Sequence, residues 1–251
     1  MANSDYTYDN IMKNGNGIFT KDSTFSASVR RMQTKLNRLG FNCGTADGIF
    51  GNNTATQLGA FQSANGLAYT CTGNMATLKK LDELSPDSAV ENYGRELTHS
   101  ELTNGYSNFN ISLVESLARA IYGEDTLYSD GQAAVAKELY NRKHHSKLFD
   151  SLNSTNTWKG LVFSPNQYTV ITGLSSETGD ARHPNQYSSQ WANCVSLAQS
   201  LINGTIPNSA LGTQCYHVAN SRSYPSSAVE STKIQIPAGT GNKFFHTQSS
   251  L

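Results

Sequence analysis

The residue with the clearest chemical potential is Glu124, which follows Tyr122-Gly123 where an apolar-periodic helical run ends and an irregular polar stretch begins. A carboxylate on the end of a rigid, buried helix is suited to general acid work if apolar and aromatic neighbours keep its proton near neutral pH. The competing reading is a solvated helix-end Glu, which is common and which the helix dipole slightly disfavours. Other reactive groups are less well arranged. The six histidines are 99, 144, 145, 183, 217 and 246. Only His144-His145 are close in sequence, and two adjacent helical residues cannot face one metal. Cys194 sits in the middle of an apolar helical stripe, whereas a nucleophilic thiol needs a helix N-terminus or a cationic neighbour. No GxSxG elbow and no phosphate-cradling glycine loop is present. No metal and no other cofactor is therefore expected.

The elements that must carry Glu124 follow from apolar spacing. Ile111, Val114, Leu117, Ala118 and Ile121 mark a helix that ends near Gly123, residues 131–142 a second, and residues 190–203 a third that stops at Gly204. Residues 214–219, 232–236 and 243–246 alternate like short strands. Upstream, Val29, Met32, Leu36 and Leu39, then Ala55, Leu58 and Phe61, then Met75, Leu78 and Leu81, line three helices of a small module. Asp47 and Thr54 suit a tight loop and helix start, and Gly48 and Gly51 permit the backbone angles of a turn. The expected organisation is a polar arm over 1–24, a helical module over 25–81, a linker over 82–109 rich in Pro, Ser, Asn and Gly, and an α+β domain over 110–251. No internal repeat is evident.

Composition narrows the function classes. The chain has 251 residues with 19 Lys+Arg against 19 Asp+Glu, so it has no net charge to draw it to nucleic acid or to an anionic membrane. Only 15% of residues are charged, against roughly 25% in ordinary soluble domains. The polar surface is thus largely Asn, Ser, Thr, Gln and Gly, as is common in exported and sugar-handling proteins. No apolar run is long enough to span a membrane, and the polar first 24 residues lack the pattern of a signal peptide. Four cysteines, at 43, 71, 194 and 215, are compatible with Cys43–Cys71 and Cys194–Cys215 disulfides or with buried thiols.

The stretch LNRLGF…ADGIFGNNTATQLGAFQSANGL resembles the peptidoglycan-binding-like three-helix module found on many bacterial wall hydrolases. LARAIYGE…GQAAVAKELYNR, followed by FSPNQYTVITG and CYHVANSRSY, resembles the catalytic domain of SleB-type spore-cortex-lytic hydrolases across most of residues 111–246. The resemblance implies an α+β fold of lysozyme/transglycosylase type after the three-helix domain, with Glu124 as the catalytic acid/base. It departs beside the acid, where Asp125-Thr126-Leu127-Tyr128 replaces the family's Ala-Arg-Gly-Glu. The family's Gln-Phe-Ser motif corresponds to Gln167-Tyr168-Thr169, and its strand Tyr and following Asn to Tyr216 and Asn220. With Gln132 at the start of the next helix, Gln167, Tyr168, Tyr216 and Asn220 are the expected substrate contacts. Amides match N-acetyl and hydroxyl groups, and a Tyr ring can lie against a pyranose. Packing with a satisfied hydroxyl is the alternative for both tyrosines.

Hydrolysis of a glycosidic bond by water ordinarily needs two carboxylates. Asp125, Asp130, Glu138 and Asp180 supply the type, but no motif places any of them, and Asp130 and Glu138 read equally well as a helix cap and a solvated face. A lytic transglycosylase needs only one, because the muramyl C6 hydroxyl is an internal nucleophile. The resulting expectation is cleavage between N-acetylmuramic acid and N-acetylglucosamine with 1,6-anhydro ends, by a monomer whose partner is peptidoglycan of wall or cortex. A phage-type endolysin, made in the cytoplasm and released to the wall through a holin-type pore, fits this best. A water-dependent muramidase, an exported germination or autolytic hydrolase, and a non-catalytic wall-binding protein remain the alternatives.

Overall fold

The computed structural model describes residues 2–104, 111–145, 157–163, 168–219 and 221–247. The chain forms two compact units, Met1–Asn92 and Tyr93–Leu251.

In the first unit, helices α1 (Tyr8–Asn14), α2 (Ala27–Arg38), α3 (Asn52–Ala64) and α4 (Met75–Leu84) surround one core. Thr7, Ser26 and Asn74 cap α1, α2 and α4 by accepting backbone N–H groups in the first turn. Val29, Met32, Leu36, Leu58, Phe61, Leu78 and Leu81 are buried as their spacing predicts, while Met75 lies exposed. Two buried glutamines pin the loops between helices. Gln33 on α2 reaches Asp47 Oδ1, Ile49 O and Thr54 Oγ1 through Nε2, and accepts Gly48 N–H at 2.8 Å. Gln62 on α3 does the same one helix later, reaching Thr70, Thr72 and Thr77 and accepting the N–H groups of Thr70 and Cys71. Both clamps end on a threonine in the first turn of the next helix, Thr54 of α3 and Thr77 of α4, a role that apolar spacing does not reveal. Gly48 has φ +80°, and a Cβ there would meet Ser26 O at 2.8 Å, so glycine is required. Gly51 has an extended φ of −86° and open space around it, so its expected role in the turn is not found.

The expected arm and the first part of the expected linker, up to Asn92, belong to this unit. Tyr8, Ile11 and Phe19 are buried in its core. Beyond residue 81, the fully buried Lys35 places Nζ 2.7 Å from Asp87 and 3.1 Å from Asp82, and donates to Ser85 O. Arg31 pairs with Asp9 at 3.0 Å and Asp87 at 2.6 Å, and lies over the Tyr8 ring. A segment rich in Ser, Pro and Asp reads as a linker because its role is electrostatic, with no apolar period to reveal it. A short helix, α5 (Ala89–Tyr93), follows at the boundary between the units.

In the second unit, α7 (Leu113–Glu124) is the central helix. It is capped by Ser112 and packed by α8 (Ser129–His144), α9 (Trp158–Val162), α10 (Thr169–Thr172), α11 (Gly179–Arg182) and α12 (Ser189–Ile202). The short α6 (His99–Thr103) begins with a Thr98/Glu101 capping box. Trp191 of α12 meets Tyr122 edge-on at 5.7 Å. Arg119 of α7 is completely buried. Its guanidinium binds Glu115 and the carbonyls of Tyr93, Arg95 and Ala181, so residues from 93 onward, expected to be linker, are structural parts of this unit. Strands β1 (Tyr216–Val218), β2 (Ile234–Ile236) and β3 (Asn242–Phe245) form an antiparallel sheet of order β1-β3-β2, with His217 opposite Phe244. The fold is α+β, as expected.

All four cysteines are free thiols, so neither expected disulfide forms. Burial pushes the Cys43 thiol up to about 11 and that of Cys215 to about 12, which suits small apolar core residues. No described helix is long and apolar enough to cross a membrane.

Candidate active site

Three elements of the second unit converge on one imidazole. The last residue of α7 is Glu124, the middle of α8 carries Glu138, and the middle of β1 carries His217. His217 Nε2 lies 2.9 Å from Glu124 Oε2, and Nδ1 lies 2.7 Å from Glu138 Oε2. The side chain of Glu138 is 1% exposed, that of His217 8% and that of Glu124 15%, so the row opens toward solvent at Glu124. Phe244 of β3 packs against the imidazole at 5.5 Å, and the buried Tyr168 ring lies 6.3 Å away. One turn along α8, Arg142 stands 3.8 Å from Glu138 and over the rings of Tyr168 and Tyr216.

The mount of Glu124 is held from both sides. Asn242 at the start of β3 donates to the Glu124 carbonyl at 3.0 Å, which satisfies an acceptor that the helix end leaves open. Asp125 turns into its own loop and accepts the N–H groups of Leu127 and Tyr128. Gly131 lets α8 approach it, since a Cβ there would stand 1.8 Å from Asp125 Oδ2.

Burial alone would strip the proton from His217. The charges of Glu138 and Glu124, and their hydrogen bonds to the ring, outweigh that cost and hold its pKa well above the ordinary histidine value. A doubly protonated ring donates from both nitrogens, Nε2–H toward Glu124 and Nδ1–H toward Glu138. Burial also pushes the Tyr168 phenol well up, so it stays neutral.

The expected site residues divide accordingly. Glu124 stands at the solvent end of the row, but its immediate polar partner is a histidine in place of the apolar pocket expected to hold its proton. Glu138, which read as either an available carboxylate or a solvated face, is buried because α8 turns that face toward β1. Gln132 is also fully buried. It donates to Asp125 O and accepts from Asn193, so it supports the loop and presents no surface for a sugar. Tyr168 is fully buried too, with its ring 6.3 Å from that of His217 and the Arg142 guanidinium over it. Tyr216 is half-buried and stacked on Phe245 at 5.9 Å. Gln167 and Asn220 lie outside the described residues. Asp130 is exposed and bonds the adjacent Gly131 N–H, and Asp180 is exposed. Among the described residues no cluster of His, Cys, Asp and Glu could hold a metal ion. His217 was not anticipated. Its alternation within a strand was legible, but nothing local marks a lone His as the partner of glutamates 93 and 79 positions away.

Comparison with known proteins agrees with the sequence patterns. Residues 26–81 match the family model described as "Putative peptidoglycan binding domain". The chain is 30% identical over 162 residues to a spore cortex-lytic enzyme of Bacillus cereus, covering 57% of this chain and 59% of that protein. It is 28% identical over 176 residues to a spore cortex-lytic enzyme of Oceanobacillus iheyensis, covering 57% of this chain and 62% of that one. The chain thus spans about three fifths of the length of these curated relatives. By these likenesses the chain is SleB-like, similar to the spore cortex-lytic enzymes, and it carries a match to a peptidoglycan-binding domain near its N-terminus.

Proposed function

We propose that this protein degrades peptidoglycan by cutting the glycan strand between N-acetylmuramic acid and N-acetylglucosamine, as a lytic transglycosylase with Glu124 as its acid and base. The observation that carries this reading is the asymmetry of the two glutamates on His217: one reaches solvent and the other does not. A muramidase that activates water needs two carboxylates facing the sugar. Glu138 is too buried to be the second, Asp125 is committed to its loop, and Asp130 and Asp180 are exposed surface carboxylates. One accessible carboxyl serves a mechanism in which the substrate supplies its own nucleophile. Glu124 protonates the bridging oxygen as the C1–O bond breaks. The muramyl C6 hydroxyl then closes on C1 and returns its proton to Glu124, the proximity of the two groups replacing an incoming water.

The first unit acts as the wall anchor in this scheme, raising the local concentration of glycan at the second. The amide-rich, uncharged surface fits a carbohydrate partner. Delivery by a phage-type lysis system remains our reading of its biological setting.

Mass spectrometry of the products from vegetative and cortex peptidoglycan tests the mechanism. Anhydro-ended muropeptides, about 18 mass units lighter than reducing-ended ones through the missing water, are expected; reducing ends alone would establish a muramidase. Glu124→Gln is expected to lower glycan cleavage by at least about 100-fold, the scale of a lost general acid, while wall pull-down persists. Retained cleavage would remove Glu124 from the chemistry.

A further inference from the structure

Resting on Glu124 as the acid, we propose that Glu138 and His217 form a buried proton relay, in which His217 stores the proton that Glu124 delivers and Glu138 fixes the imidazole for that transfer. His217 and Glu138 are positioning residues here, because neither needs to touch the glycan.

The geometry supplies the path. In the resting arrangement the imidazolium donates Nε2–H to Glu124 Oε2 and Nδ1–H to Glu138 Oε2, at 2.9 and 2.7 Å. Moving the first proton breaks one N–H bond and forms one O–H bond. It leaves a neutral imidazole that still donates Nδ1–H to Glu138, and a Glu124 carboxylic acid. The three groups together carry one negative charge before and after, so the shift creates no new net charge in a space where unpaired charge is costly. Glu124 gives that proton to the bridging oxygen, which keeps the electron pair of the broken C1–O bond. The C6 hydroxyl proton then restores the Glu124 acid as the ring closes, and Nε2 can take it back.

The Glu124 side chain is 15% exposed and its immediate polar partner is the His217 ring, so a hydrogen-bonded imidazolium stands within proton-transfer distance of the carboxyl that faces solvent. The charged and titratable groups around the ring are Glu124 on α7, Glu138 and Arg142 on α8, Tyr168 at the start of α10 and Tyr216 on β1. Phe244 covers it from β3. Of these groups only Glu124 and Glu138 hydrogen-bond to the ring among the described residues.

The test compares the full-length wild type with Glu138→Gln, His217→Gln and Glu124→Gln on soluble glycan strands across pH, alongside 15N chemical shifts of the His217 imidazole. The relay predicts that wild-type kcat falls on the alkaline side only above the ordinary histidine range. Glu138→Gln and His217→Gln should move that limb down by about one unit or more and lower kcat by roughly 10- to 100-fold, with KM nearly unchanged. Wild-type His217 should be doubly protonated at pH 7 and neutral in Glu138→Gln. An unmoved alkaline limb, or a wild-type imidazole already neutral at pH 7, overturns the relay; the NMR reading on the wild type decides even if a variant fails to fold. Loss of cleavage in Glu124→Gln with unmoved limbs in the other two rejects the relay and keeps the glycan-cleaving reading. Cleavage surviving in Glu124→Gln rejects that reading itself.

Discussion

At the scale of single residues, the chemistry under the proposed function turns on what surrounds Glu124. Its position at the C-terminal end of α7 is a local property, and the run Leu117–Ile121 before it is buried as its spacing requires. Its partners are not local, because strand β1 and helix α8 bring His217 and Glu138 from far along the chain. The same coupling has a consequence for stability. The folded pKa of His217 is raised, so its pairing stabilises the fold fully below about pH 6.5, the unfolded value. That contribution disappears as pH rises through the raised folded value. The melting temperature of wild type minus that of His217→Gln is therefore expected to be largest in mildly acidic buffer and to shrink on going alkaline. A pH-independent difference would mean that the ring is held only by packing.

At the scale of elements, the helices and strands were legible wherever apolar spacing defines them. Helices α2, α3, α4, α7, α8 and α12 and all three strands lie within a few residues of their expected places. What spacing could not reveal are the segments held by polar side chains. The stretch after α4 has little apolar content, yet it returns to Lys35 and Arg31 on α2. Lys35→Met is expected to destabilise the first unit by about 1–3 kcal/mol, because Asp87, with 3% of its side chain exposed, loses one of its two buried cationic partners and keeps Arg31. Chemical denaturation of the isolated first unit measures this. A change below about 1 kcal/mol would mean that Arg31 alone satisfies Asp87. Gln33 and Gln62 show the same limit of sequence reading: a buried amide binding a loop looks, in the sequence, like any polar residue on a helix.

At the scale of the whole molecule, the division falls at Asn92/Tyr93, which lies inside the stretch expected as linker. The physical reason is Arg119, whose buried guanidinium is received by the carbonyls of Tyr93 and Arg95. A fragment beginning at residue 93 is expected to be soluble and cooperatively folded. One beginning at 110 should unfold at a lower temperature or aggregate, since it leaves a buried cation without two of its acceptors. Equal melting curves for the two fragments would show that Glu115 and Ala181 suffice. Under the proposed function, the fragment from 93 should cut soluble glycan at the rate of the full chain but lyse intact walls more slowly.

The amino-acid sequence by itself determined which segments become helices and strands, that the chain has an α+β second domain, and which glutamate stands at the end of its central helix. These follow from local spacing, capping and turn chemistry, each of which acts over a few residues. Only the tertiary structure decided that a second glutamate is buried and that a histidine lies between the two. It likewise decided that the arm and much of the linker belong to folded units. Burial and charge pairing are properties of the packed space around a residue, and residues more than 70 positions apart share that space only once the chain has folded.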